Sequence, residues 1–278
     1  VVVHTALGKL MPDRPVPADL PKGAPHVLAI ANQKGGVGKT TTSVNLAASL
    51  AATRHRVLLI DLDPQGNTTM GCGVEKKGVD ATTYEVLSHE VGIREAIVSN
   101  PELGFDLLPA NADLTAAQVD LLQRVGRERL LSDAIKECRS DYQYILIDCP
   151  PSLNILTLNA LVAADSVLIP VQCEYYALEG LSDLMDTLGN VRATVNPQLG
   201  IEGLLRTMHD TRSRLATEVS DQLVSHFGDK VFRTVIPRNI RLAEAPSHGL
   251  PALKYDKASR GAVAYLALAG EISRRGAR

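Results

Sequence analysis

Short apolar runs alternate with longer amphipathic segments along most of the chain, from residue 26 onward. The runs are continuous, whereas a strand with one solvent-exposed face would alternate apolar and polar residues. They are therefore typical of strands that are buried on both faces. Six runs predict strands at 26–32, 56–63, 105–110, 144–150, 166–172 and 231–237. Residues 201–208 form a weaker seventh candidate.

The segments between these runs have apolar residues at helical spacing. They predict helices at 40–52, 114–123, 127–138, 153–163, 178–193, 215–227 and 259–274. Alternation of strands and helices indicates an α/β fold with a doubly wound, mostly parallel sheet flanked by helices. Residues 1–25 are rich in proline and lack apolar periodicity, so they predict a flexible arm, and residues 26–278 predict one domain.

The composition is that of an ordinary globular protein, with 45% hydrophobic and 22% charged residues among 278. No apolar run approaches the roughly 20 residues that a membrane-spanning helix needs. The net charge is only −2, but residues 231–278 contain nine lysines and arginines against three acidic residues. Such asymmetry indicates an anionic partner, although a solvated basic helix near the end of the sequence would give the same pattern.

The spacing of cysteines and histidines argues against several kinds of site. The four cysteines have no C-x-x-C spacing, so buried reduced thiols are expected, as in a cytosolic protein. The seven histidines show neither H-x-x-x-H nor H-E-x-x-H spacing, and no G-x-S-x-G motif occurs. Neither a zinc site nor a hydrolase nucleophile elbow is predicted.

The segment ANQKGGVGKTTTS, residues 31–43, lies between a predicted strand and a predicted helix. It follows the phosphate-binding pattern G-x-x-x-x-G-K-[ST], except that Gln33 stands where the first glycine is expected. Backbone N–H groups of such a turn and of the helix start form an anion site. Lys39 is predicted to reach the β- and γ-phosphates of a nucleotide, and the Thr40 hydroxyl to help hold Mg²⁺. The predicted nucleotide-binding residues here are Lys34, Gly35, Gly36, Val37, Gly38, Lys39, Thr40 and Thr41.

Acidic residues at the ends of two predicted strands extend this site. Asp148 ends the run YILID, which matches the second motif of nucleotide sites, and its carboxylate is expected to hold a magnesium-bound water. Asp61 and Asp63 alternate along the run RVLLIDLD, so both side chains could face the phosphates. The sequence therefore predicts a magnesium–phosphate site at one edge of a parallel sheet.

Four motifs together resemble the ParA (Soj) family of chromosome and plasmid partition ATPases: KGGVGKTTT, DLDPQGN, DCPPSLN and IPRNIRLAEAPSHG. The resemblance runs from about His26 to the end of the sequence. It implies a P-loop ATPase of the deviant Walker A class, with ATP and Mg²⁺ as cofactors. An additional lysine in the loop defines that class, and Lys34 matches it. Pro237 and Asn239, in the fourth motif, fall where the family's adenine-binding loop lies.

The resemblance also implies catalytic roles. Two subunits of the family hold ATP between them, and Lys34 is expected to cross to the partner's phosphates, as an arginine finger does. Asp63 corresponds to the acid that positions the attacking water. Asp61 and Asp148 correspond to the acids that, with Thr40, organise magnesium and its waters.

Partners follow from the same resemblance. The ATP-bound homodimer is expected to bind double-stranded DNA without sequence preference, and a ParB-type centromere-binding protein to stimulate hydrolysis and release it. The protein is then expected to be cytoplasmic and associated with the nucleoid. The predicted DNA-binding residues are Arg212 and Arg241, which align with arginines of the family, and Lys254, Lys257 and Arg260 in or near the basic region.

Two other classes of ATPase are alternatives. The first is a membrane-associated division-site ATPase of the MinD type, which shares the deviant loop but needs a C-terminal amphipathic membrane helix. The last segment, SRGAVAYLALAGEISRRGAR, predicts a packed helix with a short basic end, so no stable membrane association is expected. The second is an electron-transfer ATPase like the nitrogenase iron protein, which needs two cysteines per subunit for a shared cluster. Cys149 and Cys173 would have to supply them, yet both lie close to predicted strands.

Overall fold

A computed structural model gives the fold and describes residues 25–175 and 177–276. Except for Pro25, the arm predicted at residues 1–25 lies outside the described residues. Within the described ranges, eight strands form one sheet: β1 (His26–Ile30), β2 (Val57–Asp61), β3 (Val98–Asn100), β4 (Phe105–Leu108), β5 (Tyr144–Asp148), β6 (Ser166–Gln172), β7 (Gly200–His209) and β8 (Val231–Pro237).

The strands lie in the order β3-β4-β2-β5-β1-β6-β7-β8. All neighbours are parallel except β3 and β4, which are antiparallel. The chain leaves β1 toward β2 on one side, and after β5 it crosses β1 to build the other side. Open parallel sheets bind ligands at such a change of direction, outside the carboxyl ends of the strands.

Helices connect these strands and cover the sheet. The helices of the described residues are α1 (Lys39–Ala52), α2 (Asn67–Gly71), α3 (Thr83–Leu87), α4 (Ile93–Ala96), α5 (Leu114–Asp120), α6 (Leu130–Cys138), α7 (Ile155–Ala163), α8 (Ala177–Thr194), α9 (Arg214–Phe227), α10 (Ile240–Glu244), α11 (Ala252–Tyr255) and α12 (Arg260–Gly276). A 3₁₀ turn at Leu121–Gln123 extends α5, and another at Ala245–His248 follows α10.

Both faces of the sheet are buried, which explains the continuous apolar runs. In β1, Val27 and Ala29 face one core while Leu28 and Ile30 face the other, and all four are fully buried. Helices α3 to α9 close the first core. Helices α1 and α12, with the segment between β8 and α12, close the second. The apolar runs therefore stabilise the fold from two sides.

The two edge strands differ in length and in how their backbone is covered. β3 has only three residues, Val98–Asn100. β8 is longer, and the Glu271 carboxylate of α12 accepts hydrogen bonds from the Arg233 N–H and the Thr234 N–H, both at 2.9 Å. Burial by itself raises the pKa of Glu271, but these hydrogen bonds hold it below its usual range.

The segment that carries α10 and α11 packs directly against the elements that follow β1 and β2. The Ala252 N–H donates to Asn45 Oδ1 of α1 at 2.8 Å. Gly249, with a φ of 64°, lies against the backbone of Gly73, so closely that a Cβ on Gly249 would be 2.5 Å from the Gly73 Cα. The segment after β8 is thereby fixed to α1, the helix that follows the phosphate-binding loop.

The sequence predicts the fold class correctly, and the differences are local. The weaker candidate at 201–208 is the ten-residue strand β7, which pairs with β6 and β8. Predicted helix 153–163 begins at Ile155, because the Asn154 side chain caps it by accepting hydrogen bonds from the Leu156 and Thr157 N–H groups. Predicted helix 127–138 begins at Leu130. The apolar pattern does not predict β3, α2, α3, α4, α10 or α11, since three to five residues are too few to show a period.

Candidate functional site

The loop between β1 and α1 is anchored to its neighbours in the sheet. Asn32 is buried; its Nδ2 donates to the Pro170 carbonyl at 2.7 Å, and its Oδ1 accepts from the Lys34 N–H at 3.0 Å. On the other side, Thr207 Oγ1 of β7 donates to the Val37 carbonyl at 2.8 Å. These bonds tie a loop of irregular backbone to β6 and β7.

The loop borders a cavity of about 630 Å³. Gly36 and Gly38 adopt left-handed backbone, with φ of 76° and 88°. Apart from the glycine itself and its two neighbours in the chain, no atom of the described residues lies within 4 Å of the place that a Cβ would take at Gly35 or Gly36. A phosphate group therefore fits against the bare backbone of the loop, as in a nucleotide site. Among the predicted nucleotide-binding residues, the cavity is lined by Gly35, Gly36, Gly38, Lys39, Thr40 and Thr41, and Lys34 and Val37 do not line it.

Uncharged polar side chains form another part of the cavity lining. They belong to Thr115 and Gln118 of α5, and to Ser152 and Asn154 of the loop after β5. Asn154 Nδ2 donates to Gln118 Oε1 and to Ser152 Oγ, both at 3.0 Å. The cavity thus has a cationic wall for anions and a neutral wall that is fixed by its own hydrogen bonds.

The two lysines of the loop point in different directions. Lys39 is buried, and its Nζ donates to the Lys34 carbonyl at 3.2 Å. Burial lowers the pKa of Lys39, against the raising effect of the nearby Asp148 carboxylate. The Lys34 Nζ donates to Glu174 Oε2 at 2.8 Å, outside the cavity. A ligand in the cavity meets Lys39, while Lys34 is held on the outer side of the loop.

Asp148 is surrounded by hydroxyl groups at the end of β5. It is fully buried and accepts hydrogen bonds from Thr40 Oγ1 at 2.9 Å, Ser43 Oγ at 2.8 Å and Thr68 Oγ1 at 2.6 Å. Burial raises the pKa of Asp148, and the three hydroxyl groups oppose that rise. Thr40 lines the cavity, whereas Asp148 does not line it and lies behind Thr40, at hydrogen-bond distance from its hydroxyl. Oxygen atoms of this kind suit Mg²⁺, so these residues fit that ion.

Asp61 and Asp63 lie close in sequence but have different surroundings. Asp61 is fully buried and accepts hydrogen bonds from the N–H and hydroxyl of Thr69, at 2.8 and 2.7 Å, and from the Asp63 N–H at 3.1 Å. Burial and, secondarily, the charge of Asp148 raise the pKa of Asp61 to about 7. Only Asp63 of the two lines the cavity, where its Oδ1 accepts from the Gln65 N–H at 3.0 Å. Asp61 therefore fixes the loop that carries Asp63, and its role toward magnesium stays a prediction.

Pro237, the last residue of β8, and Asn239, two residues later, are predicted near the base of a nucleotide. The Asn239 side chain caps α10 by accepting from the Arg241 N–H at 3.1 Å. The Arg238 N–H donates to the His209 carbonyl at 3.2 Å and ties this segment to the end of β7. Neither Pro237 nor Asn239 lines the cavity beside the loop, so their contact with a base stays a prediction.

Two of the five predicted DNA-binding residues are paired with acids of the same chain. Arg212 forms two hydrogen bonds with Asp210, at 3.0 and 2.8 Å. Arg241 donates to Glu244 at 2.8 Å, and its Nε lies 3.3 Å from Asp256. These acids raise the pKa values of both arginines. All five are exposed: Arg212, Arg241, Lys254, Lys257 and Arg260.

The basic residues of 231–278 are divided between the carboxyl ends and the amino ends of the strands. Arg241 follows the carboxyl end of β8. Arg275, near the end of α12, donates to the Glu202 carbonyl of β7 at 3.0 Å and pairs with Glu271 at 3.1 Å. That carbonyl is near the amino end of β7. Only part of the surplus therefore belongs to the surface that carries the predicted DNA-binding residues.

The structure also locates the last helix, which a MinD-type ATPase would use to bind a membrane, and the two cysteines that an iron–sulfur ATPase would need. Along α12, Tyr265, Leu268 and Ile272 are buried against the second core. No helix in the described part of the chain is both long and apolar enough to cross a membrane. Cys149 and Cys173 are free thiols, and both are buried.

Several residues that hold the site are missed by sequence reasoning. Ser43 could have been found, because it lies four residues after Lys39 and therefore on the same side of the helix. Thr68 and Thr69 follow the acidic motif, but only the fold shows that they face Asp148 and Asp61. Glu174 carries no signal in the sequence, since its contact with the phosphate loop joins two distant strands.

A family model described as an AAA domain matches residues 25–201. The sporulation initiation inhibitor protein Soj of Bacillus subtilis is 51% identical over 250 residues, which cover 90% of this chain and 99% of Soj. The chromosome partitioning protein ParA of Caulobacter vibrioides is 51% identical over 249 residues, which cover 89% of this chain and 93% of ParA.

Solved structures share the fold over nearly the whole chain. Cobyrinic acid a,c-diamide synthase from Mycobacterium smegmatis, with bound ADP and magnesium, is 38% identical with a TM-score of 0.80, and the match covers 90% of this chain and 95% of that one. The cell division ATPase MinD of Pyrococcus furiosus is 27% identical with a TM-score of 0.75, over 90% and 99% of the two chains.

Proposed function

This chain belongs to the ParA (Soj) family of chromosome-partitioning ATPases, and we propose that it is a DNA-segregation ATPase that works as an ATP-dependent dimer. Two subunits hold ATP and Mg²⁺ between them, and the dimer binds double-stranded DNA without sequence preference. A ParB-type protein at centromere-like sites stimulates hydrolysis, and hydrolysis releases the dimer from DNA. The protein then acts in the cytoplasm, on the nucleoid.

The observation that carries this proposal is the different placement of the two lysines of the loop. Lys39 lies with the glycines at the cavity, where one cation meets the phosphates of the chain's own nucleotide. Lys34 holds its ammonium group outside that cavity. A cation on the outer side of the loop is accessible to the nucleotide of a facing subunit. A second subunit would thereby complete the charge around each γ-phosphate.

The residues of the cavity suit hydrolysis of a phosphoanhydride bond. The loop N–H groups and Lys39 bind the phosphates, and the free Oδ2 of Asp63 accepts a hydrogen bond from the attacking water and orients it. Thr40 and Asp148 would hold Mg²⁺, directly or through its waters. When bound, the ion neutralises charge on the phosphates. The uncharged side chains of Gln118 and Asn154 line the same cavity without adding charge to it.

DNA binding is proposed for the exposed basic residues after β7 and β8. A single subunit offers few cations on this surface, and two of them, Arg212 and Arg241, are already paired with acids. A two-fold dimer doubles the number of cations on one face, so affinity for DNA appears with ATP. Binding through phosphates alone carries no sequence preference and weakens steeply with salt.

A membrane-associated ATPase of the MinD type is the second candidate, supported by the similarity to MinD of Pyrococcus furiosus. That class uses an amphipathic helix whose apolar face enters the membrane. The corresponding face of α12 is already packed, with Tyr265 and Leu268 fully buried. Sedimentation with phosphatidylglycerol vesicles in the presence of ATP separates the candidates. Pelleting that depends on ATP and vesicles would favour the second.

The test of the first candidate is dimerisation by the Lys34→Ala variant. Wild type with Mg²⁺ and a non-hydrolysable ATP analogue is expected to sediment as a dimer, and as a monomer with ADP. Lys34→Ala is expected to retain nucleotide binding through Lys39 but to remain monomeric with the analogue. Lys77→Ala, which removes an exposed lysine elsewhere, serves as the control. Equal dimerisation by Lys34→Ala and wild type would overturn the role of Lys34 between subunits.

A further inference from the structure

Glu174 holds Lys34 although the two residues are 140 positions apart. The Lys34 Nζ donates to Glu174 Oε2 at 2.8 Å, and both side chains are partly exposed, at 37% and 46%. Glu174 follows β6, the strand that also anchors the loop through Asn32 and Pro170. One neighbouring strand therefore fixes the loop backbone and also supplies the partner of its outer lysine.

The backbone around Glu174 is ordered by local hydrogen bonds. The Glu174 N–H donates to the Gln172 carbonyl, and the Ala177 N–H donates to the Glu174 carbonyl, both at 2.9 Å. Glu174 thus lies in a tight turn between β6 and α8, and the turn fixes the backbone from which its carboxylate extends. A carboxylate on such a turn can direct a flexible lysine in a way that a mobile surface acid could not.

Without Glu174, the Lys34 side chain could also reach the cavity of its own subunit. The Lys34 carbonyl accepts a hydrogen bond from Lys39 Nζ at 3.2 Å, and the next residue, Gly35, lines the cavity. The backbone of Lys34 is therefore at the rim of the cavity. A long and flexible side chain there can bend inward to the phosphates of the same subunit, where it would be lost to a partner.

We propose that Glu174 is a positioning residue for Lys34: its carboxylate keeps the Lys34 ammonium away from the chain's own nucleotide and so reserves it for the nucleotide of a second subunit. The inference rests on the proposed ATP-dependent dimer. Exposed ion pairs contribute little to stability, about 0.2–1 kcal/mol, so the effect on binding is at most about fivefold. The ion pair nevertheless acts in opposite directions on two equilibria. It weakens binding of ADP by the monomer, and it favours dimerisation with ATP.

The first measurement is the affinity of the monomer for ADP and Mg²⁺, by calorimetry. Glu174→Gln is expected to bind ADP more tightly than wild type, by up to about fivefold, because the released Lys34 reaches the diphosphate of its own subunit. Glu174→Asp keeps the charge and is expected to return the affinity toward that of wild type. In the Lys34→Ala background, Glu174→Gln is expected to change nothing, since the lysine through which it acts is gone.

The second measurement is the protein concentration at which half of the chains are dimeric with the non-hydrolysable ATP analogue. Glu174→Gln is expected to need up to about fivefold more protein than wild type, because its Lys34 is diverted. Glu218→Gln is the matched control, since Glu218 forms an exposed ion pair with Arg214 on α9, at 3.9 Å. This control is expected to match wild type in both measurements.

Three results would overturn the inference. They are an unchanged or weaker ADP affinity of Glu174→Gln, the same ADP effect in the Lys34→Ala background, and easier dimerisation of Glu174→Gln. The last result would make the ion pair a restraint on the dimer and not a guide toward it. Failure of the proposed function looks different: wild type would stay monomeric with the ATP analogue, or Lys34→Ala would dimerise normally. The ADP measurements use monomers alone and are read independently of that outcome.

Discussion

The charged residues of the nucleotide cavity and those of the basic surface are held by different kinds of partner. Asp148 is buried and is held by three hydroxyl groups, and Asp61 by an N–H group and a hydroxyl of Thr69 together with a second N–H group. Arg212 and Arg241 are exposed and are held by carboxylates. Beside the cavity, neutral donors orient each buried carboxylate. On the surface, the charges of Arg212 and Arg241 are already matched by acids.

The nucleotide cavity can therefore bind a ligand without losing an existing ion pair, whereas the arginines of the basic surface must leave their acids to bind DNA. Burial raises the pKa values of Asp61 and Asp148, so a cation bound beside them would favour their charged forms, and the burial makes each contact strong. An exposed arginine can bind a phosphate only by leaving its acid, and the two interactions are similar in strength in water. Changes in the cavity should therefore have large effects, and changes on the surface small ones that depend on salt.

The largest effect is expected for Asp63→Ala. Loss of the carboxylate that orients the water should lower kcat for ATP by about 10²- to 10⁴-fold, while ADP affinity stays close to wild type. Steady-state phosphate release and ADP calorimetry measure the two quantities. Asp229→Ala, which removes an exposed acid remote from the cavity, is the control. A kcat within threefold of wild type would show that another group orients the attacking water.

Lys39→Ala should come next. It removes the buried ammonium group that would meet the phosphates, and hydrogen bonds to charged groups contribute about 1.5–3 kcal/mol. The affinity for ADP is therefore expected to fall about 10- to 150-fold, again by calorimetry. Lys34→Ala is the informative comparison, because it lies in the same loop but outside the cavity. If Lys34→Ala lost as much ADP affinity as Lys39→Ala, the two lysines would share one role.

Thr68→Val tests the hydroxyl groups that surround Asp148. The substitution keeps the shape but removes the donor at 2.6 Å, leaving a buried carboxylate with two hydroxyl partners. The free energy of unfolding is expected to fall by about 1–3 kcal/mol, measured by urea denaturation without nucleotide. Thr217→Val, on the exposed side of α9, should change it by less than about 0.5 kcal/mol. Equal effects of the two would show that the donor to Asp148 does not matter.

The smallest effect is expected on the basic surface, and it depends on the proposed DNA binding. Arg212→Ala with Arg241→Ala should still dimerise on ATP, and each lost phosphate contact should reduce the salt slope of DNA binding by about 0.9. Asp210→Asn sharpens the comparison, because it frees Arg212 from its acid and should tighten binding to mixed-sequence duplex modestly. Fluorescence anisotropy across a salt series measures both. If the double substitution left the salt slope of DNA binding unchanged, DNA would have to bind at a surface other than that of Arg212 and Arg241.

Sequence reasoning was most successful where local order fixes geometry. The strand, the glycine turn and Lys39 with Thr40 occupy consecutive positions, so the loop and its cavity follow from one segment. Arg241 and Glu244 are three residues apart on α10, and this spacing allows an ion pair to be expected from the sequence. The fold class followed in the same way, because apolar runs and helical segments alternate over the whole region.

The remaining features depend on contacts between distant parts of the chain. Thr68 reaches Asp148 only because β2 and β5 are neighbours, and Glu174 reaches Lys34 only because β6 lies beside β1. Strand order is not written in any single segment. The separation of Asp61 from the cavity is of the same kind, since both acids are buried but only Asp63 lines the cavity, and the pattern of the run does not distinguish them.

The way the sheet ends on each side bears on how this protein behaves at high concentration. A free strand edge is a template for a strand of another molecule, and long exposed edges lead to aggregation. Here one edge offers only the three residues of β3, and at the other Glu271 occupies two N–H groups of β8. The pKa of Glu271 is held low, so its protection is complete at neutral pH and is lost as the pH falls through that low value. Strong acid would therefore weaken the hydrogen bonds that cover these two N–H groups of β8.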